Sequence, residues 1–110
     1  MQITPTLNRE ILLSFWKVHI LHHAAKGPVV GQWMLNELRR HGYDVSPGTM
    51  YPLLQRMVEH GWLRCEVDAQ GGPHARKYYY LTDVGQAILA LVRNAVHELQ
   101  HELDETNDTE

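Results

Sequence analysis

The 110-residue chain has 10 Lys/Arg against 13 Asp/Glu, a formal net charge of −3 and a hydrophobic fraction of 44%. That length suits one modest domain, and no apolar run is long enough to span a bilayer. The net charge hides a split: residues 1–80 carry nine Lys/Arg and six Asp/Glu, whereas residues 81–110 carry one Arg and seven acids. A mildly basic body with an acidic end suits a nucleic-acid binder whose other end does something else.

Met1-Gln2-Ile3-Thr4-Pro5 lacks a basic segment followed by an apolar run, so no signal peptide is expected and the cytoplasm is the expected location. Residues 7–25 are predicted to form a first helix, with Asn8 as a cap and Ile11, Leu12, Phe15, Val18, Leu21 and His22 at helical spacing. Lys26-Gly27-Pro28 stops it. A second helix over 31–41 places Met34, Leu35 and Leu38 on one face, and Arg39, Arg40 and His41 suit its C-terminus before Gly42.

A third helix is predicted over 46–61. Ser46 should cap it through its hydroxyl, and Pro47 suits the first position, where no N–H is needed. Leu53, Leu54, Met57 and Val58 form the apolar stripe; Thr49, Gln55, Arg56 and Glu59 are expected to face away from it. Thr49 and Tyr51 then bring hydroxyls to the positive end of the helix, a natural place to meet phosphate. Pro52 breaks the local rule, because it removes an N–H inside a helix and disfavours helical angles at Tyr51. Such a break beside an otherwise consistent helix often marks a functional site.

The period then changes. Trp62 to Val67 and Lys77 to Leu81 alternate loosely and are rich in aromatic and β-branched residues. With the turn Asp68 to Arg76 between them they predict a β-hairpin, in which Cys65 is a small apolar strand residue. That lone cysteine excludes an internal disulfide and a multi-cysteine zinc site. Tyr78 and Tyr80 share one face, Tyr79 takes the other, and two of the three are expected in the core. A last helix starts after Thr82 and runs to about Leu103, roughly 33 Å. Its wide stripe includes Ile88, Leu91, Val92, Ala95 and Leu99, more than so small a body can cover, so a two-fold dimer is expected.

These elements predict an α+β, mostly α fold: a winged helix-turn-helix over 1–81, a long dimerisation helix over 82–103 and an acidic, disordered tail over 104–110. Ser46-Pro47-Gly48-Thr49-Met50-Tyr51-Pro52-Leu53-Leu54, then Gly61-Trp62-Leu63, then Arg76-Lys77-Tyr78-Tyr79-Tyr80-Leu81-Thr82-Asp83-Val84-Gly85 resemble the PadR family of transcriptional regulators. The match in order and spacing covers roughly residues 10–90, and the single C-terminal helix is similar to the compact subfamily. The resemblance implies a homodimeric repressor of transcription. Its third helix would enter the major groove of a palindromic operator in double-stranded DNA, and its wing would touch the minor groove or backbone. One departure is Val30-Gly31-Gln32, where the family commonly has His-Gly-Tyr.

On that reading the DNA-binding residues are Ser46, Thr49, Tyr51, Arg56, Arg76 and Lys77, holding phosphates or reading base edges. Phe15 and Trp16 are expected to line an effector pocket, because some compact members bind flat aromatic compounds at the dimer interface. His19, His22 and His23 on the first helix and His97 and His101 on the last, with Glu98 and Glu102, can approach one another across a dimer. Imidazoles and carboxylates so placed suit nickel or zinc, or a pH-sensitive interface. The competing readings are a winged helix used for protein–protein contact and a metal-responsive regulator. An enzyme finds no motif-like constellation in the sequence.

Overall fold

A computed structural model describes residues 5–108, with side chains described for 9–105. Four helices and three short strands follow the chain as α1 (Pro5–Ala24), β1 (Val29–Val30), α2 (Gly31–Arg40), α3 (Pro47–Glu59), β2 (Leu63–Val67), β3 (Lys77–Leu81) and α4 (Asp83–Asp108). The tip of the β2–β3 hairpin holds a single 3-10 turn, Gly72–His74. The predicted winged helix-turn-helix with a long last helix is the observed architecture.

α1, α2 and α3 enclose the core. Ile20, Leu21, Met34, Leu35, Leu38, Met50, Leu53, Leu54 and Met57 are all fully buried, and Leu63, Tyr79 and Leu89 close it from the sheet and α4. Two Schellman turns end α2 and α3. Gly42 (φ 93°) donates to the Arg39 carbonyl while Tyr43 donates to Leu38; Gly61 (φ 78°) donates to Val58 while Trp62 donates to Met57. Both glycines occupy the left-handed position that such turns require.

The sheet order is β1-β3-β2, all antiparallel, with Val29 opposite Tyr79 and Cys65 also opposite Tyr79. β1 was not expected, since two residues are too short to carry a period. It pairs with a strand some fifty positions away and covers the wing's inner edge. Tyr79 alone of the three tyrosines is buried; burial pushes its hydroxyl up to about 12, and half-buried Cys65 packs beside it. Tyr78 and Tyr80 are half-buried, and the Arg64 guanidinium lies 4.5 Å over the Tyr80 ring.

α4 is rooted firmly. Thr82 caps it as predicted: its Oγ1 accepts from the Gly85 N–H at 3.0 Å and donates to the carbonyl of Gly61. A Cβ at Gly85 would collide with the Trp62 carbonyl oxygen and with Leu81 Cδ1, so only glycine lets α4 press so closely on the hairpin. At the other end the helix does not stop near Leu103. It continues to Asp108, so 104–108 are helical and only 109–110 of the expected tail lie outside the described residues. The pairs Gln100–Asp104 (2.9 Å) and His101–Glu105 (3.3 Å), one turn apart, favour that extension.

α1 differs from its prediction in both start and orientation. It begins at Pro5, ahead of Asn8, so Asn8 is not its cap. The face turned to the core is Trp16, Ile20, Leu21 and Ala24, whereas Ile11 and Phe15, read as part of the buried stripe, are about half exposed. The helix is apolar on two faces, and the predicted stripe mixes them: Leu12 and Leu21 meet the core, whereas Ile11 and Phe15 do not.

Candidate nucleic-acid interface

The leading turn of α3 shows how the expected DNA-facing residues are arranged. Ser46 has the extended backbone of an N-cap, but its hydroxyl makes no capping bond; it lies 3.4 Å from Thr49 Oγ1. The first-turn N–H groups of Thr49 and Met50 go instead to the Ser46 carbonyl. Pro47 takes the first helical position as predicted. The helix runs through Pro52 without a break, and Pro52 lies on its exposed side, where the unserved Gly48 carbonyl faces water more cheaply than it would the core.

Thr49 corrects the expectation. It is turned inward, 8% exposed, and its Oγ1 accepts a 3.1 Å hydrogen bond from the Arg9 guanidinium of α1. The contact spans forty residues, so no local pattern could reveal it. Thr49 therefore ties α1 to α3 and does not point outward, while Arg9 becomes a cation beside the α3 N-terminus that sequence reasoning missed. Gln55, Arg56 and Glu59 are exposed, as expected of the face opposite the stripe.

Tyr51 is 43% exposed. With Gln32, His74, Arg76, Lys77 and Tyr79 it lines a cleft of about 400 Å³ between the start of α2, the start of α3 and the base of the hairpin. Arg76 and Lys77 are both exposed there. Two permanent cations, a titratable imidazole, an amide and a phenol thus converge from three elements. That set can hold phosphate oxygens by charge and by hydrogen bonds, and its hydroxyl and amide can reach base edges. Arg76 also borders a second cleft with His23, Lys26 and the half-exposed Trp33, another residue that the sequence reading passed over.

Arg39 and Arg40 have structural partners. Arg39 Nε donates to the Val45 carbonyl at 3.0 Å and braces the α2–α3 turn. Arg40 pairs with Glu37, which also lies 3.3 Å from His41 and 3.9 Å from His23. The Arg40 hydrogen bond first, then its charge and those of His23 and His41, holds the Glu37 carboxyl down to about 2.

A groove of about 530 Å³ runs between α1 and α4, lined by Phe15, Val18, His19, His22, Leu89, Val92, Val96 and His97 among others. Phe15 lies in it, but Trp16, its expected companion, is a core residue, 3% exposed and edge-on to Tyr43 at 6.0 Å. Burial lowers the pKa of His19 and His22, helped by His41 and His22 at the first and by Lys26 and Arg93 at the second, which favours neutral imidazoles at pH 7. The five histidines do not gather within one chain. His23 packs edge-on to Trp33 at 5.2 Å, His101 faces Glu105, and among the described residues no three His, Cys, Asp or Glu side chains are placed to hold a metal ion. The expected dimerisation residues divide as well: Ile88 packs against the core and Val92 is half-buried, whereas Leu91, Ala95 and Leu99 are exposed on the single chain; Leu89, outside the predicted stripe, joins the core.

Residues 20–91 match the model of the transcriptional regulator PadR-like family. The chain is 45% identical over 95 residues to the transcriptional regulator Rv3488 of Mycobacterium tuberculosis, covering 86% of this chain and 88% of that one. A PadR-like transcription factor from Bacteroides fragilis superposes with a TM-score of 0.77 at 26% identity, over 91% and 97% of the two chains. A PadR family regulator from Eggerthella lenta does so with a TM-score of 0.75 at 28% identity, over 96% of each. Among the described residues no helix is long and apolar enough to cross a membrane.

Proposed function

The chain belongs to the PadR-like family of transcriptional regulators, DNA-binding proteins and not enzymes, and we propose that it acts as a homodimeric repressor of a palindromic operator. The observation that carries this reading is the cleft where Tyr51 of α3 meets Gln32 of α2 and Arg76 and Lys77 of the wing. α3 is the element that enters the major groove, with Tyr51 and Arg56 at base edges or phosphates, while Arg76 and Lys77 anchor the wing through the backbone. Ser46, exposed at the helix start, is within the same leading edge. Thr49 supports that edge from beneath.

Dimerisation through α4 is supported by its uncovered apolar side chains: Leu91, Val96, Leu99 and Leu103 are 51–65% exposed in the single chain. Two such chains related by a two-fold axis bury these residues and present two α3 helices to two half-sites. The α1–α4 groove, apolar and of ligand-binding size, is the proposed seat of a flat apolar effector, with Phe15 as its aromatic wall. A metal-responsive version would need a second copy to complete any ligand set around His19, His22 and His97; elemental analysis of untagged protein tests it.

The defining experiment is a gel shift on the DNA upstream of the chain's own gene, at two salt concentrations. The expected result is a specific complex that weakens as salt rises. Equal binding to random DNA, or no complex, would favour a winged helix used for protein–protein contact.

A further inference from the structure

Gly31 opens α2, and its backbone is not in the left-handed region that ordinarily calls for glycine. The reason for a glycine there is space. A Cβ at position 31 would lie 2.5 Å from Cε1 of Tyr51 and 3.3 Å from its Cδ1 and Cζ. The Tyr51 ring therefore rests directly on the first turn of α2, against a buried glycine, while its other side is open to the cleft shared with Arg76 and Lys77.

We infer that Gly31 is a positioning residue for DNA binding: its missing side chain is the seat that holds the Tyr51 ring beside the wing cations. This rests on the reading that Tyr51 touches DNA. The ring is half exposed, so it is the group that yields when a methyl group is added at position 31. The three atoms nearest to such a Cβ all belong to the Tyr51 ring, and none to the backbone or the buried core. An alanine therefore turns the ring out of its seat and leaves the fold standing. The phenol then no longer sits at the same distance from Arg76 and Lys77, and the three elements no longer present one joined surface. The seat also explains how a chain with Gln32 in place of an aromatic residue still places a ring at the mouth of this cleft: the ring comes from α3.

The test is a double-mutant cycle read by fluorescence anisotropy on a labelled duplex from upstream of the chain's own gene. Gly31→Ala is expected to weaken binding by about a hundredfold, the scale of one lost hydrogen bond to a charged group in each of the two half-sites. The slope of affinity against salt should stay unchanged, because no cation is removed. In a Tyr51→Ala background Gly31→Ala should cost nothing further, there being no ring to displace. A Tyr51→Phe background serves if Tyr51→Ala does not fold: the displaced ring then has no hydroxyl to lose, and again no affinity is lost. Wild-type affinity for Gly31→Ala, a loss that adds fully to that of Tyr51→Ala, or unfolding of Gly31→Ala alone each overturns the proposal. Wild-type affinity for both Tyr51 variants overturns instead the reading of Tyr51 as a DNA contact.

Discussion

Leu91→Glu is the sharpest test of how α4 is used. Leu91 is 65% exposed in the single chain, so the substitution removes little contact within the protomer. Full burial of a leucine contributes about 1.5–3 kcal/mol, so covering the remaining two-thirds contributes about 1–2 kcal/mol. A two-fold interface counts the position twice, which gives about 2–4 kcal/mol per dimer. Converted to a dissociation constant, that is a rise of about 30- to 1,000-fold. A carboxylate buried in place of the methyl groups adds a desolvation cost on top. The assay is light scattering behind size exclusion over a range of concentrations, with far-UV circular dichroism as a check on the fold. The expected result is a folded monomer at concentrations where the wild type is a dimer, with a matching loss of operator affinity as one half-site contact is lost. An unchanged dimer would show that α4 meets its partner through another face. An unfolded monomer would show that Leu91 holds the protomer itself.

Lys77→Ala should weaken binding to operator and random DNA alike and lower the magnitude of the salt slope by about 1.8, the contribution of one neutralised phosphate from each protomer of the dimer; an unchanged slope would place Lys77 off the backbone. Trp16→Ala should destabilise the fold by about 3–5 kcal/mol, as a large buried aromatic does, while Phe15→Ala should leave stability nearly unchanged and alter any effector response. Chemical denaturation separates the two, and equal losses would contradict the core position of Trp16. Glu37→Gln should lower the thermal midpoint at pH 7. Glu37's carboxyl is depressed from 4.5 to about 2, so the stability it contributes is present above the ordinary carboxylate range and is lost as pH falls toward 2. The two melting curves should therefore converge on acidification; a gap that persists near pH 2 would mean that the charge of Glu37 is not what matters.

The sequence was most legible where local signals agree. α2, α3 and the start of α4 combine an apolar stripe with a start or stop residue: Pro47, Gly42, Gly61 and Thr82 all do what their types predict. It was least legible where a distant partner decides. Thr49 turns inward because Arg9, forty residues earlier, supplies a donor. β1 exists because Tyr78 and Tyr79 offer it an edge. α1 is apolar on two faces, and only packing against α2, the sheet and α4 selects Trp16 and Ile20 over Phe15 and Ile11. The end of α4 was misjudged because its acidity suggested a solvated tail, whereas side-chain pairs one turn apart continue the helix. In the candidate site Tyr51, Arg76 and Lys77 could be found from motif and charge. The place of Gln32 beside them and the seat beneath Tyr51 needed the fold.

The tight root of α4 has a mechanical consequence. With Gly85 pressed on the Trp62 carbonyl and Thr82 bonded to Gly61, the last helix and the hairpin have almost no play between them. α4 is then a stiff handle, about 39 Å long at 1.5 Å per residue, on a rigid reading head. In the two-fold pair proposed above, a ligand that shifted one α4 against the other would swing each head as one piece. What such a lever changes is the span between the two heads. A signal delivered there would be read out as a mismatch with half-site spacing, while the base preference of each head stayed the same.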